Sequence, residues 1–153
     1  MLSKASRASR ARTLIWLALL LQAIGLLIDG AWHGWLHPEF EPATRYEVLV
    51  HLATVHAVFL AGVIVLLVAT AWTLVRSAGR SRVAATIALF GSGAQITGQA
   101  WDAWEHTRLS HGPPLAWTLV MLGPLIVLAT LLVSRRRVVT RDDSRRSRQH
   151  PAV

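Results

Sequence analysis

Apolar residues in this chain come in four long blocks, at about 13–36, 46–75, 83–107 and 115–134. A helix needs about 20 residues, at about 1.5 Å rise each, to cross a hydrocarbon core about 30 Å thick, and every block can do so. In lipid each backbone N–H and C=O must find its partner within the chain, so a lone apolar block of this length has one stable form, the helix. The blocks predict an all-α integral membrane protein, a four-transmembrane-helix bundle spanning 13–134. A basic cytoplasmic N-terminus, 1–12, and a basic disordered cytoplasmic tail, 135–153, flank it. Lys4, Arg7, Arg10 and Arg12 ahead of the first block resemble the start of a secretory signal. However, no small-residue cleavage site follows and three more blocks do, so it is read as a helix.

The basic residues set the orientation. They fall before the first block, between the second and third at Arg76, Arg80 and Arg82, and after the fourth from Arg135 to Arg148; the remaining two loops hold only Arg45 and Arg108. By the positive-inside rule both termini are cytoplasmic, in what the composition suggests is a bacterial plasma membrane. Asp29, Glu39, Glu41, Glu47, Asp102 and Glu105 then gather on the outer side, with six of the seven histidines. The formal net charge of +8 is confined to the flanks of membrane helices and shows no aromatic-basic interleaving, which argues against a nucleic-acid partner. Those flanks suit anionic lipid, at about 1 kcal/mol per basic residue near the surface. Homo- or hetero-oligomers are compatible with the sequence. Disulfides and thiolate metal sites are excluded, because the chain has no cysteine.

Two of the blocks share a pattern. LQAIGLLIDGAWHGWL, from Leu21, aligns without a gap on AQITGQAWDAWEHTRL, from Ala94, at an offset of 73, matching Gln22, Gly25, Asp29, His33 and Leu36 to Gln95, Gly98, Asp102, His106 and Leu109. At 100° per residue the Gln, Asp and His of each copy fall within about 40° of one another, a polar stripe that should face protein. The chain thus reads as two parallel-repeat helical hairpins related by a pseudo-twofold axis along the membrane normal. Their polar stripes would meet in the middle, with Gly25, Gly30, Gly34 and Gly98 close to that contact.

Counting about 20 residues from each arginine boundary puts Asp29, His33, His56, Asp102 and His106 in one layer at the outer interface. His37, Glu47, His51, Glu105 and His111 would lie just above it, among the tryptophans of an interfacial belt that includes Trp32, Trp35, Trp101, Trp104 and Trp117. Asp and His four residues apart on a helix offer a carboxylate oxygen and an imidazole nitrogen to one ion. The candidate metal ligands are Asp29, His33, His51, His56, Asp102 and His106. Glu47, Glu105, His37 and His111 are further ligands or partners that orient the ligand rings. His51 and His56 are about 140° apart around an ideal helix, so the two need not serve the same ion. Carboxylate and imidazole without thiolate suit Fe, Mn, Zn or Cu(II), with room for one or two ions.

A metal-dependent oxidoreductase at the outer leaflet is the leading reading, with Glu105 or Glu47 moving protons. The alternative is a non-catalytic metal-binding or assembly subunit of a membrane complex. A hydrogen-bond network without metal, and haem held by two histidines, rank below these. An ion or proton transporter ranks third as a class, since the cytoplasmic halves of the blocks hold no Asp, Glu or His.

The paired D-x3-H motifs, Asp29/His33 and Asp102/His106, resemble the copper-binding helix of the membrane subunit of methane and ammonia monooxygenases. The likeness covers only those residues, and that family's third, more distant His has no counterpart here. It implies copper as one candidate ion. The layout as a whole resembles small four-helix membrane proteins of high-GC bacteria, which implies a fold and no activity.

Overall fold

The computed structural model describes residues 4–109 and 113–149, with the side chains of 9–79, 81–109 and 113–134. Every regular element among them is a helix: α1 (Lys4–Ala31), α2 (Arg45–Thr54), α3 (Ala57–Arg76), α4 (Arg80–Thr107) and α5 (Pro114–Gln149). A π-helical turn, Trp32–Leu36, extends α1. Three helical stretches are long and apolar enough to cross a membrane: Ser9–Leu36, Ala57–Arg76 and Pro114–Ser134. Leu27, Val68, Phe90 and Leu125 point outward from the bundle and stay uncovered by protein, as lipid-facing side chains do. At 28 residues α4 has the length, but Ser92, Gln95, Thr97 and Gln99 dilute its apolar content.

Two boundaries differ from the sequence reading. The block at 46–75 is two helices, because the chain turns at Val55–His56. α2 has its own N-terminal signal: the Thr44 hydroxyl accepts from Glu47 N, and the Glu47 carboxylate accepts from Thr44 N, a reciprocal capping box. The tail expected to be disordered continues α5 as far as Gln149. Arginine is a good helix former, and Pro151 is the first breaker after Ser134, so nothing local ends the helix at the membrane boundary.

Glycine contacts hold the helices in pairs. A Cβ on Gly25 would stand 2.5 Å from Phe59 N, and one on Gly62 would stand 2.9 Å from Ala18 O, so α1 and α3 touch backbone to backbone. The α4–α5 pair is built the same way: a Cβ on Gly98 would lie 2.6 Å from Ala116 O and 3.0 Å from Val120 N, and one on Gly123 would lie 2.6 Å from Gly91 O. Gly25 and Gly98 therefore pack inside their own hairpins and not between α1 and α4, while Gly30 and Gly34 face open space. The small residues sit where backbones approach closest, within each pair. α3 packs on α4 to join the pairs, around Ile15, Ala18, Leu66, Ala69, Ala88 and Val127. α1 and α4 face each other across the middle, where Gln95 Nε2 donates to Gln22 Oε1 at 2.8 Å, fully buried. Gly79, at φ +56°, makes the turn into α4 in a conformation that disfavours a side chain.

Candidate metal centre

At the end of the bundle away from Arg12, Arg76 and Arg82, four side chains from three elements converge. Asp29 comes from the last turn of α1, His33 from the π-turn, His51 from α2, and His56 from the junction before α3. One ligand atom from each lies within 4.8 Å of all the others, so the group could hold a metal ion. His33 Nε2 is 3.5 Å and His56 Nε2 3.4 Å from Asp29 Oδ1. His51 Nε2 is 3.1 Å from His33 Nε2 and 3.2 Å from His56 Nε2. Donor atoms about 2.0–2.1 Å from a tetrahedral ion stand about 3.3–3.4 Å apart, and these four contacts bracket that spacing.

Hydrogen bonding accounts poorly for the same geometry. An imidazole Nε2 carries either one proton or one lone pair, so His51 Nε2 can bond one neighbouring ring nitrogen and not two. Asp29 Oδ1 is buried without a hydrogen-bond partner. A buried carboxylate oxygen in that state is costly unless a cation or a donor meets it. Burial, followed by the fields of His56 and His33, pushes the His51 imidazole down from 6.5 to about 4, which keeps it in the neutral form a metal requires.

Local sequence explains the convergence. The wider π-turn, closed by His37 N donating to Trp32 O at 2.8 Å, sets Trp32 and His33 off the regular α1 spiral. The turn at Val55–His56 swings α2 out of line with α3, which brings His51 and His56 together although an ideal helix would hold them far apart. Trp32 packs its ring 4.6 Å from that of His51, with Phe40 5.2 Å from the same ring. Phe40 was not singled out in the sequence; its place between Pro38 and Pro42, in the loop that returns to α2, was the available signal.

The remaining candidates are placed elsewhere. His106 Nδ1 donates to the Asp102 backbone oxygen at 2.8 Å and lies 3.6 Å from Asp102 Oδ2, which leaves Nε2 as the ring nitrogen with a lone pair. The two residues are near enough to act on His56 electrostatically, but they are not among the four converging groups. Asp102 is buried, and its Oδ1 has no partner. Glu47 is engaged in the cap of α2, where its carboxylate accepts from Ala43 N at 2.8 Å. His37 packs its ring 4.6 Å from Trp32 and stands outside the group. Glu105 lies on the last turn of α4, and His111 falls outside the described residues. No family model, curated protein or solved structure matches this chain.

Proposed function

We propose that this chain is a membrane metalloprotein that binds one transition-metal ion through Asp29, His33, His51 and His56 at the outer face of a four-helix bundle. The carrying observation is the buried Asp29 Oδ1, without a hydrogen bond, facing the Nε2 atoms of His33 and His56, with that of His51 against both. Three imidazoles and a carboxylate suit Zn, Cu(II) or Fe. Haem fits less well, because His51 Nε2 and Asp29 Oδ1 occupy the space between His33 and His56 that a macrocycle would need.

In the leading reading the ion serves a metal-dependent oxidoreductase. The half-exposed His33 side chain supports it, since it leaves the site open toward a substrate at the membrane surface. In the alternative the four residues close the coordination shell, and the chain is a metal-binding or assembly subunit. We take α4 as the fourth span because it lies between α3 and α5 with a buried polar stripe and an apolar outer face. The arginine asymmetry places both termini in the cytoplasm. A duplicated hairpin is supported by the Gln22–Gln95 bond at the offset of 73, and by Gly25 meeting Phe59 N as Gly98 meets Val120 N.

Metal analysis of the purified chain tests the site. His33→Ala and His56→Ala, each alone, should lower bound metal severely, and His37→Ala should leave it unchanged; equal metal content in all three would reduce the group to a hydrogen-bonded network. An electronic spectrum of the Cu(II)-loaded protein, or of the Co(II)-substituted one where zinc is the native ion, separates the readings, because exogenous azide or cyanide shifts the bands of an open site and leaves a closed one unaltered.

A further inference from the structure

Below the metal centre the bundle carries polar groups through its middle, and most of them are closed off from solvent. Thr70 is fully buried on α3 and lies 2.7 Å, oxygen to oxygen, from Ser92 on α4. One turn on, Gln95 bonds Gln22, and each of these amides keeps a second polar atom, Gln95 Oε1 and Gln22 Nε2, buried without a partner. Gln99 and Asp102 continue the same face of α4, both nine-tenths or more buried, and Asp102 Oδ1 is again partnerless. At its other end the stripe meets a cavity of about 480 Å³ between the arginine-bearing ends of the helices, whose wall includes Thr70, Thr73, Ser77, Ala88, Arg12 and Arg76.

Spacing along α4 decides what could join these groups. Ser92, Gln95, Gln99 and Asp102 are three or four residues apart, about 4.5–6 Å of rise per step and about 15 Å in all. A hydrogen bond between oxygens spans about 2.7–2.8 Å, so one or two water molecules close each step. Buried amide and carboxylate atoms left without a hydrogen-bond partner, as Gln22 Nε2, Gln95 Oε1 and Asp102 Oδ1 are, are the usual partners of buried water.

We propose that the stripe of Thr70, Ser92, Gln22, Gln95, Gln99 and Asp102 orders a file of water that carries protons between the cytoplasmic cavity and the outer metal face. A proton enters from water in the cavity as each water of the file takes one proton and passes on another, and it leaves at the outer end to the Asp102 carboxylate or to bulk water. Nothing is oxidised or reduced, and the amides and hydroxyls hold the waters without changing protonation. Absence of Asp, Glu or His from the lower half leaves a multivalent metal ion without anionic ligands along the way. That absence also ranks a proton transporter third by sequence, but it bears on relays through ionisable side chains and not on protons that hop within ordered water. The stripe stands on observations separate from the metal site, and its test needs no metal.

The full chain is reconstituted in liposomes that enclose a pH-sensitive dye, and a potential is imposed with a potassium gradient and valinomycin. Internal pH should change faster than in protein-free liposomes. Gln95→Met and Thr70→Val, which keep size and lose hydrogen-bonding atoms, should bring the rate to the protein-free level, while Thr118→Val, on an exposed face of α5, should leave it unchanged. His33→Ala should lose metal and keep the flux, so that failure of the metal centre and failure of the conduit are told apart. The proposal is overturned by a wild-type rate equal to that of empty liposomes, by a flux that requires sodium, or by wild-type flux in Thr70→Val with its helical circular dichroism intact. Thr70→Val decides alone if Gln95→Met does not fold.

Discussion

Gly25 and Gly30 sit five residues apart on α1 and have opposite surroundings. A methyl group at Gly25 would meet the Phe59 backbone at 2.5 Å, whereas at Gly30 nothing lies within 4 Å. Gly25→Ala should therefore force α1 from α3 and cost about 1–3 kcal/mol, as overpacking does, while Gly30→Ala should be neutral or stabilise slightly. Because Phe59 is three residues beyond His56, Gly25→Ala should also weaken metal binding; thermal melts with and without added metal read both effects. Asp29 differs in kind, since its carboxylate meets two imidazole nitrogens and its Oδ1 has no hydrogen-bond partner. Asp29→Asn preserves volume and removes the charge. It should lower metal affinity by more than the 10- to 100-fold typical of losing a partner that merely orients a ligand, measured by competition with a chelating dye. An unchanged affinity would take Asp29 out of the coordination shell.

At the scale of elements, α2 decides whether His51 reaches the site, and its cap decides α2. Glu47→Gln retains the reciprocal capping box and should bind metal like the wild type. Glu47→Leu removes half of the cap and should cost about 1 kcal/mol of helix stability, with a matching fall in affinity. Were Glu47 a ligand, Glu47→Gln would lose metal as well; metal titrations of the two proteins distinguish these outcomes. YEVLVHLATVHAVFL has no Gly or Pro to mark a break, so from sequence alone α2 and α3 read as one helix. The turn at Val55–His56 comes from tertiary demands, with Val48 and Val55 both buried, and periodicity carries no trace of it. The convergence of Asp29, His33 and His56 was legible from the i, i+4 spacing and the depth counts. His51 is a candidate ligand by sequence, but its meeting with His56 was obscured by assuming an ideal helix, and so was the separation of Asp102 and His106. Helix spacing fixes which side chains share a face and leaves open how far apart two faces stand. Gln22 and Gln95 are long enough to touch across the middle, and the shorter Asp29 and Asp102 are placed with different neighbours.

For the whole molecule, the disposition of α4 settles how the chain threads the membrane. Three helical stretches meet the length and hydropathy of a span unaided, and α4 falls short through the same Ser92, Gln95 and Gln99 that line the middle of the bundle. A helix with a polar inner stripe can still cross if the stripe is covered, because each polar side chain then meets protein or water and only the apolar face meets lipid. Here α3 and α5 flank α4 closely, and Ile87 and Phe90 project from its outer face. A spanning α4 returns α5 to the side where the chain started, so Ala78 and Ser147 share a side opposite Glu41. An α4 lying along the surface would send α5 across alone and put Ser147 on the side of Glu41. Single cysteines at these three positions, labelled in intact cells with a membrane-impermeant maleimide, decide between the two: with four spans and cytoplasmic termini only Glu41→Cys is labelled, and labelling of Ser147→Cys together with Glu41→Cys would remove α4 from the membrane and with it the transmembrane water file.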